Sequence, residues 1–251
     1  MPRHLRIEFP GAFYHVMARG NRREVIFHDD DDRRFFLATL SEACAMTGWR
    51  VHAWVLMDNH YHLFIETPEA NLVAGMKWLQ NTVTRRYNVR HRAWGRLFGD
   101  RYKAVPVDGS DGYHYRTLAD YIHLNPVRAR MIQPQKNQSI LDYAWSSVAG
   151  GWALPPGKRP PWLAATGGLE RFEQKDTVKR VRIRIVNFKI GMLPITGTLK
   201  GYLRGVDSFS VLEHTTTSPF CFRWILRLGR CYGHDPRRRN RPPGRGDPSR
   251  I

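Results

Sequence analysis

Residues 49–66 read WRVHAWVLMDNHYHLFIE, and this stretch decides the fold. Two runs rich in β-branched and aromatic residues, 49–57 and 60–66, are separated only by the polar pair Asp58 and Asn59. A two-residue polar connection between such runs is typical of an antiparallel β-hairpin. Because the hairpin joins the middle strands of the chain, we expect both of its strands at the centre of a sheet, where side chains are held rigidly.

The sequence before the hairpin predicts one strand and one helix. Residues 12–19 (AFYHVMAR) are typical of a strand. Asp29 to Asp32 then supply an N-cap and first-turn acids, which suit the positive end of a helix dipole. This helix is expected to end at Gly48. Its apolar face follows helical spacing through Phe36, Leu40 and then Ala43 or Cys44.

The sequence after the hairpin predicts helix, strand and helix. Asn71 is expected to cap the second helix, and residues 101–107 (RYKAVPV) predict a strand whose proline favours a sheet edge. Ser110 or Asp111 caps a third helix that runs to about Asn125, where the following proline ends it. The order β-α-β-β-α-β-α predicts an α+β fold of the split βαβ type (ferredoxin-like or RRM-like). In it, helices lie on one face of an antiparallel sheet, and the third helix is additional.

Composition points to a polyanionic partner. The 251 residues include 40 Lys and Arg against 22 Asp and Glu, a formal net charge of +18. A protein this basic binds nucleic acid favourably because neutralised phosphates release their counterions. A ribosomal or merely soluble basic protein is the alternative that composition leaves open.

Three scattered cysteines exclude a disulfide framework and a cysteine-rich zinc site. The N-terminus MPRHLRIEFPG has no apolar signal segment, and no run approaches the ~18 apolar residues of a membrane span. We therefore expect a reduced, cytoplasmic protein without membrane contact. The sequence leaves monomer and homodimer open.

Three segments differ in character. Residues 1–150 hold the predicted α+β domain. Residues 151–195 are expected to form a C-terminal extension that begins with a Pro/Gly-rich linker, 151–163, and adds a helix and a strand within 169–195. Residues 196–251 end in an Arg/Pro/Gly-rich stretch and predict a basic, largely disordered tail.

The first chemical motif is the pair His60 and His62. Residues i and i+2 of a strand point to one face, so both imidazoles converge while Tyr61 turns toward the core. Two neutral imidazoles close together form half of a metal site. A lone His-x-His pair on a strand is nevertheless more often an ordinary surface feature.

The second motif is Tyr121 with Asn125. Four residues apart on a helix, they share one face. The Tyr121 phenol is a potential nucleophile, and the Asn125 amide oxygen is a hard ligand suited to Mg²⁺ or Mn²⁺. The structural alternatives are a core tyrosine and, for Asn125, the N-cap of a short helix that begins at Pro126.

Taken in order, these motifs are recognisable. The RGNRR turn, LMDNHYHLFIETPEANL, RYKAVPVD and LADYIHLNPVRA lie in one register over roughly residues 5–150, and Trp145-Ser146-Ser147 also fits. The sequence resembles the REP-associated tyrosine transposases, a branch of the HUH single-strand transposase superfamily. It departs from them at Asp58, where a proline is common, at Phe98, where a tryptophan is expected, and after residue 195.

The resemblance implies an enzyme that cleaves and rejoins hairpin-containing single-stranded DNA in the bacterial cytoplasm, associated with the nucleoid. Tyr121 would be the nucleophile and form a 5′-phosphotyrosine. His60 and His62 would be the HUH pair, and Asn125 would stand at the third position around Mg²⁺ or Mn²⁺. His123 lies on a different helical face and is expected to pack or to bind DNA.

Basic residues near these motifs are candidate phosphate contacts, although any one of them is more often a solvated charge. They are Arg19, Arg22, Arg23, Arg85, Arg86, Lys103, Arg128 and Arg130. Trp78 and Tyr102 could stack on unpaired bases, but core packing is the commoner use of such residues.

Three other functions compete with this interpretation. A protein of the same fold could bind hairpin DNA or RNA without cleaving it, but the complete set of histidines, tyrosine and asparagine argues against this. A zinc hydrolase lacks a third ligand at a recognisable spacing. A rolling-circle replication initiator shares the histidine pair, but the Tyr-x-x-x-Asn-Pro context favours transposases.

Overall fold

The computed structural model describes residues 6–109 and 111–171. Four strands form one antiparallel sheet in the order β2-β3-β1-β4. The strands are β1 (Ala12–Arg19), β2 (Arg50–Met57), β3 (His60–Thr67) and β4 (Lys103–Val107). The helices are α1 (Asp30–Thr47), α2 (Leu72–His91), α3 (Gly112–His123), α4 (Asn125–Arg128) and α5 (Ala165–Arg171).

This architecture confirms the predicted α+β fold and corrects one detail of it. The hairpin turns at Asp58 and Asn59 as predicted, and β4 is an edge strand. However, β2 is also an edge strand. The reason is that β1 pairs along the full length of β3 on the side away from β2, with Arg19 opposite His60. The centre of the sheet therefore consists of β1 and β3.

The helix boundaries follow mostly from local capping. The Asp29 side chain accepts a hydrogen bond from the Asp32 amide at 3.0 Å, and Gly48 ends α1 in the left-handed region at φ 71°. Asp111 caps α3, whereas Ser110 lies outside the described residues. Asn71 occupies the N-cap position of α2 as predicted, but its side chain does not cap the helix, because its amide oxygen accepts from Trp49 Nε1 at 2.7 Å instead.

The helices occupy both faces of the sheet. On one face, Phe36 of α1 lies 4.8 Å from Tyr61 between ring centres, and Gln80 of α2 donates to the Tyr61 hydroxyl at 3.2 Å. On the other face, Tyr115 of α3 lies 4.9 Å from Phe64. Because successive β3 residues alternate between faces, α1 and α2 share one side, as predicted, and the additional helix α3 covers the side of the histidines.

The chain after α4 covers the outer edge of β2. Leu56 donates its amide to the Trp145 carbonyl at 2.9 Å, and Val51 donates to the Trp162 carbonyl at 3.0 Å. Trp152 is buried and donates its indole N–H to the His52 carbonyl at 3.0 Å. Residues 151–163, predicted as a linker, therefore satisfy the backbone of an otherwise open edge strand.

The structure describes only part of the predicted C-terminal segments. Helix α5 provides a helix within the expected extension, but the strand predicted before residue 195 and the tail over 196–251 lie outside them. Within residues 6–109 and 111–171, no helix is both long and apolar enough to cross a membrane.

Candidate active site

The β3 histidine pair and Tyr121 meet on one face of the sheet. His60 and His62 stand two residues apart on β3, and their ring centres are 5.1 Å apart. Tyr121, near the C-terminal end of α3, places its ring 5.8 Å from that of His62, edge to face. The packing of α3 on this face therefore brings the candidate nucleophile to the candidate metal ligands.

Asn59 fixes the orientation of the His60 ring. Its amide Nδ2 donates to the Arg23 carbonyl at 3.0 Å, so its Oδ1 must be the atom that faces His60. His60 Nδ1 lies 2.8 Å from this Oδ1. Since Oδ1 can only accept, His60 Nδ1 carries the proton. Arg23 has φ 65°, and this left-handed turn directs its carbonyl toward Asn59.

A third histidine, His15 of β1, contacts both His62 and Tyr121. Its Nε2 lies 2.9 Å from His62 Nδ1, and the two rings are stacked with their centres 5.2 Å apart. The His15 ring is also 5.7 Å from that of Tyr121, edge to face. His15 is completely buried, and its Nδ1 has no hydrogen-bond partner among the described residues.

All three imidazoles favour the neutral form. Burial lowers the pKa of His15 to about 3, and burial together with the positive charge of Arg19 lowers that of His60 to about 4. The pKa of His62 falls well below its ordinary value, chiefly because of burial and then because of the neighbouring His15 and His60. Neutral imidazole is the form that binds a metal ion.

Arg128 is the cation nearest to the Tyr121 phenol for which the structure shows a direct contact. Its guanidinium lies 4.5 Å from the centre of the Tyr121 ring, and its Nη1 donates to the Tyr121 carbonyl at 3.1 Å. Burial raises the pKa of the Tyr121 phenol, and the positive charge of Arg128 partly offsets that rise. The arrangement thus favours the phenolate over what burial alone would allow.

Asn125 supports the end of α3 rather than the start of α4. Its Nδ2 donates to the carbonyl oxygens of Tyr121 at 3.0 Å and of Ile122 at 3.3 Å, while Leu124 occupies the N-cap position of α4. The predicted N-cap role is therefore wrong, because α4 begins at Asn125 itself. Since the carbonyls hold Nδ2, the amide oxygen Oδ1 points away from them.

The remaining basic candidates differ in where they lie and in what they contact. Arg19 lies opposite His60 in the β1–β3 register, and Lys103 lies opposite Met17 in the β1–β4 register, so both are on the histidine face. The exposed candidates are Arg22, Arg23, Arg85 and Arg130. Arg86 differs from these, because it donates to Glu42 at 2.9 Å and contacts Thr39.

Two aromatic or imidazole candidates are packed in the interior. His123 is buried, with its Nε2 at 2.8 Å from the Ser147 hydroxyl oxygen and its ring 5.0 Å from that of Trp152. Tyr102 is buried, and the Arg6 guanidinium lies 3.7 Å above its ring. The structure places neither beside Tyr121.

The donor set at this site can accommodate a divalent ion. Among the described residues, no three His, Cys, Asp or Glu side chains form a group that could hold a metal. The set consists instead of two neutral imidazoles on one strand face, with the Nδ1 atoms of His60 and His62 occupied by Asn59 and His15. Mg²⁺ and Mn²⁺ fill their other positions with water and substrate phosphate oxygens, so two or three protein ligands suffice.

Sequence reasoning missed Asn59, His15 and the contact of Arg128 with Tyr121. A signal for Asn59 existed, because an amide immediately before a strand histidine is within reach of its ring. His15 carried no such signal, since its contact depends on which strand pairs with the open side of β3.

The part of the chain that holds these motifs matches a family of known proteins. A family model described as "Transposase IS200 like" matches residues 9–125, just under half of the chain. A solved REP-associated tyrosine transposase bound to a REP hairpin is 17% identical, with a TM-score of 0.49 over 59% of this chain and 82% of that one. A putative transposase from Deinococcus radiodurans is 18% identical, with a TM-score of 0.34 over 49% and 94%. No curated protein matches the chain.

Proposed function

Because residues 9–125 match the family model of the IS200-like transposases, we propose that the protein cleaves and rejoins single-stranded DNA through a covalent link to Tyr121. The observation that carries this proposal is the position of the Tyr121 ring. It lies within 6 Å of two neutral imidazoles, those of His15 and His62, with a guanidinium over its face.

The proposed cleavage step conserves atoms and charge. Tyr121 Oη gives up its proton and attacks the scissile phosphorus, the bond between phosphorus and O3′ breaks, and the DNA 3′ oxygen leaves and takes up one proton, so no net proton is gained or lost. The products are a 5′-phosphotyrosine and a free 3′-hydroxyl. In the reverse step a 3′-hydroxyl from another strand attacks the phosphotyrosine and displaces Tyr121, so that the strands are rejoined without an external energy source.

His60 and His62 would hold Mg²⁺ or Mn²⁺, with the Asn125 amide oxygen as a third candidate ligand. When bound, such an ion supplies Lewis-acid stabilisation of the negative charge on the scissile phosphate. The chain's own residues contribute in two further ways. Arg128 favours the Tyr121 phenolate, and Arg19, opposite His60, adds positive charge where a phosphate would lie.

The proposed substrate is a DNA hairpin with a single-stranded flank, as the resemblance to REP-associated transposases suggests. A hairpin-binding protein without cleavage is the second candidate. The observation that favours it is the burial of Tyr121, which raises the pKa of its phenol and weakens it as a nucleophile.

End-labelled oligonucleotides distinguish the two candidates. The full chain is incubated with Mn²⁺ or Mg²⁺ and a hairpin oligonucleotide labelled at either end, and the products are separated under denaturing conditions. Cleavage through Tyr121 releases the 5′-labelled fragment with an extendable 3′-hydroxyl and leaves the 3′-labelled fragment attached to protein. Tight binding of an intact hairpin would establish the non-cleaving alternative.

A further inference from the structure

We propose that Asn59 and His15 are positioning residues that hold His60 and His62 in the same tautomer, with the proton on Nδ1 and the lone pair on Nε2. This inference rests on the proposed function, because it assigns the metal-facing nitrogen of each histidine. A histidine that binds a metal through one ring nitrogen commonly donates its other N–H to a fixed acceptor.

For His60 the tautomer follows from hydrogen bonds alone. The Arg23 carbonyl accepts from Asn59 Nδ2 at 3.0 Å, which turns Asn59 Oδ1 toward His60 Nδ1 at 2.8 Å. An amide oxygen cannot donate, so the proton of this bond belongs to His60. The lone pair is then on Nε2, the nitrogen on the far side of the ring.

For His62 the same tautomer is required for metal binding. Its Nδ1 is 2.9 Å from His15 Nε2, and one proton lies between two neutral rings. If His15 donated that proton, His62 would carry its own proton on Nε2, and neither nitrogen of His62 could bind a metal. His62 must therefore donate, and His15 must accept at Nε2 and carry its proton on Nδ1.

The environment of His15 does not resemble that of an ordinary core histidine. The side chain is completely buried, yet its Nδ1 has no partner within the described part of the chain. A buried polar atom left unpaired destabilises the fold, and a phenylalanine would fill the same space without that cost. The bond to His62 is the one hydrogen bond of the His15 ring that the structure shows, and it ends on a candidate metal ligand.

Nitrogen NMR of the metal-free, DNA-free protein tests this assignment independently of catalysis. In the full chain with ¹⁵N-labelled histidine, we expect both His60 and His62 as the Nδ1–H tautomer. His15→Phe removes the acceptor and should shift His62 toward Nε2–H, whereas His15→Gln, whose Oε1 can reach the same place, should retain Nδ1–H. In the same way, Asn59→Leu should shift His60 toward the Nε2–H tautomer, whereas Asn59→Asp should retain Nδ1–H.

Mn²⁺ affinity, measured by electron paramagnetic resonance without DNA, is the second readout. His15→Phe and Asn59→Leu should each weaken Mn²⁺ binding about 10- to 100-fold, with most of the affinity restored in His15→Gln and Asn59→Asp. An unchanged tautomer of His62 in His15→Phe, or Nε2–H on both histidines in the unmodified protein, overturns the inference. Thermal unfolding of each variant shows whether it is folded. If His15→Phe does not fold, the inference is tested by His15→Gln, Asn59→Leu and Asn59→Asp. If the tautomers behave as expected but no DNA is cleaved, only the proposed function fails.

A different observation carries a second inference, which concerns an exposed groove at the C-terminal end of α2. Its side chains include Asn81, Arg85, Val89, Arg92 and Trp94, and we call it the Trp94 groove. The indole is 93% exposed and the Val89 side chain is 76% exposed. Both faces of a large aromatic ring are therefore presented to solvent beside two arginines.

The backbone holds this indole in a defined place. Arg92 adopts the left-handed region at φ 49° and ends α2, after which the chain turns back along the helix. The Ala93 amide donates to the Asn88 carbonyl at 2.9 Å, and Asn88 Nδ2 donates to the Gly95 carbonyl at 3.1 Å. Trp94 is thus anchored on both sides, and its exposure does not arise from a loose turn.

We infer that the Trp94 groove binds the unpaired part of a single-stranded nucleic acid. An indole with accessible faces stacks on bases, and adjacent guanidinium groups suit phosphates. A regular duplex hides its base faces, so stacking on Trp94 requires unpaired nucleotides. The chain that follows the Trp94 groove is tied to the segment before the histidines, because Asn21 donates to the Leu97 carbonyl and Gly20 donates to the Asn59 carbonyl, each at 2.9 Å.

This inference rests on the proposed function, and binding without metal separates the two. Affinity for a hairpin with a single-stranded flank, for the bare hairpin and for a duplex is measured with the full chain and with Trp94→Ala. We expect Trp94→Ala to lose about tenfold in affinity for the flanked hairpin and to bind the bare hairpin and the duplex like the unmodified protein. The matched control is Phe35→Ala, which removes an aromatic ring of 51% exposure on α1 and should bind like the unmodified protein.

Three outcomes contradict the second inference. Equal affinities of Trp94→Ala and the unmodified protein for the flanked hairpin would remove the Trp94 groove from the interface. An equal loss for the duplex would show that Trp94 does not stack on unpaired bases. Failure of the unmodified protein to bind any of the three DNAs would instead refute the proposed function and, with it, this surface.

Discussion

Neutralising Arg128 should make the Tyr121 phenol harder to ionise. The Arg128 guanidinium lies 4.5 Å from the centre of the Tyr121 ring, and its positive charge opposes the rise in phenol pKa that burial causes. Arg128→Gln keeps a side chain that can still donate to the Tyr121 carbonyl, which the arginine does at 3.1 Å. The substitution therefore removes the charge while a local hydrogen bond can persist.

The size of the effect follows from the distance. With the 4.5 Å between the guanidinium and the ring centre taken as the separation, two unit charges interact by about 1 kcal/mol in water and by about 4 kcal/mol at an effective dielectric constant of ~20. Arg128 is exposed, so the lower half of this range applies. A loss of about 1–2 kcal/mol raises the Tyr121 pKa by about one unit. It slows cleavage about 5- to 30-fold wherever the phenol is mostly protonated.

Single-turnover cleavage at saturating DNA, measured across pH, is the appropriate assay. We expect the Arg128→Gln profile to be displaced to higher pH by about one unit and to converge with that of the unmodified protein in alkaline solution. Arg128→Lys should retain most of the rate, and Lys136→Gln, which removes an exposed positive charge elsewhere on the surface, should leave the profile in place. The same proportional loss at every pH, or a loss of DNA affinity alone, would refute the electrostatic reasoning and leave Arg128 as a phosphate contact.

Three further predictions concern the histidines and Asn125. Changing both His60 and His62 to Ala should abolish Mn²⁺- or Mg²⁺-dependent cleavage while hairpin binding persists, and cleavage by this variant in the presence of a chelator would exclude the metal site. Asn125→Ala removes the donor to two carbonyls of α3 and should lower the free energy of unfolding by about 1 kcal/mol; a much larger loss of cleavage, partly restored by excess metal, would identify Asn125 as a ligand as well. The lowered pKa values of His15 (about 3) and His60 (about 4) mean that the unfolded chain binds more protons below pH ~6.5. The free energy of unfolding should therefore fall as the pH drops from ~6.5 toward ~4. His15→Phe should reduce the slope of that free energy against pH by up to about 1.4 kcal/mol per pH unit. If denaturant titrations give the same slope for His15→Phe as for the unmodified protein, the lowered pKa of His15 is contradicted.

The sequence was most informative where interactions are local. The Asp58–Asn59 turn, the shared face of His60 and His62, and the Asp29 cap depend on residues within a few positions of each other. Alternation along a strand and capping of a helix are dictated by backbone geometry, so they can be derived without knowing the rest of the fold.

The sequence was least informative where strands and segments distant in the chain meet. The pairing of β1 with the open side of β3 places β2 at an edge and brings His15 to His62. Nothing in either strand's own pattern specifies that partner. Asn71 shows the same limit, because the Trp49 indole competes with the helix for its amide oxygen. The contacts of residues 151–163 with β2 likewise depend on an exposed strand edge that composition cannot reveal.

Covalent capture of DNA on Tyr121 tests the central claim most directly. The full chain and Tyr121→Phe are each incubated with Mn²⁺ and a flanked hairpin oligonucleotide, and the denatured products are digested and analysed by mass spectrometry. We predict a nucleotide-modified peptide that contains Tyr121 in the unmodified protein, and no adduct in Tyr121→Phe, although that variant binds the hairpin with nearly the same affinity. An adduct that persists in Tyr121→Phe, or that maps to a different residue, would contradict the assignment of Tyr121 as the nucleophile.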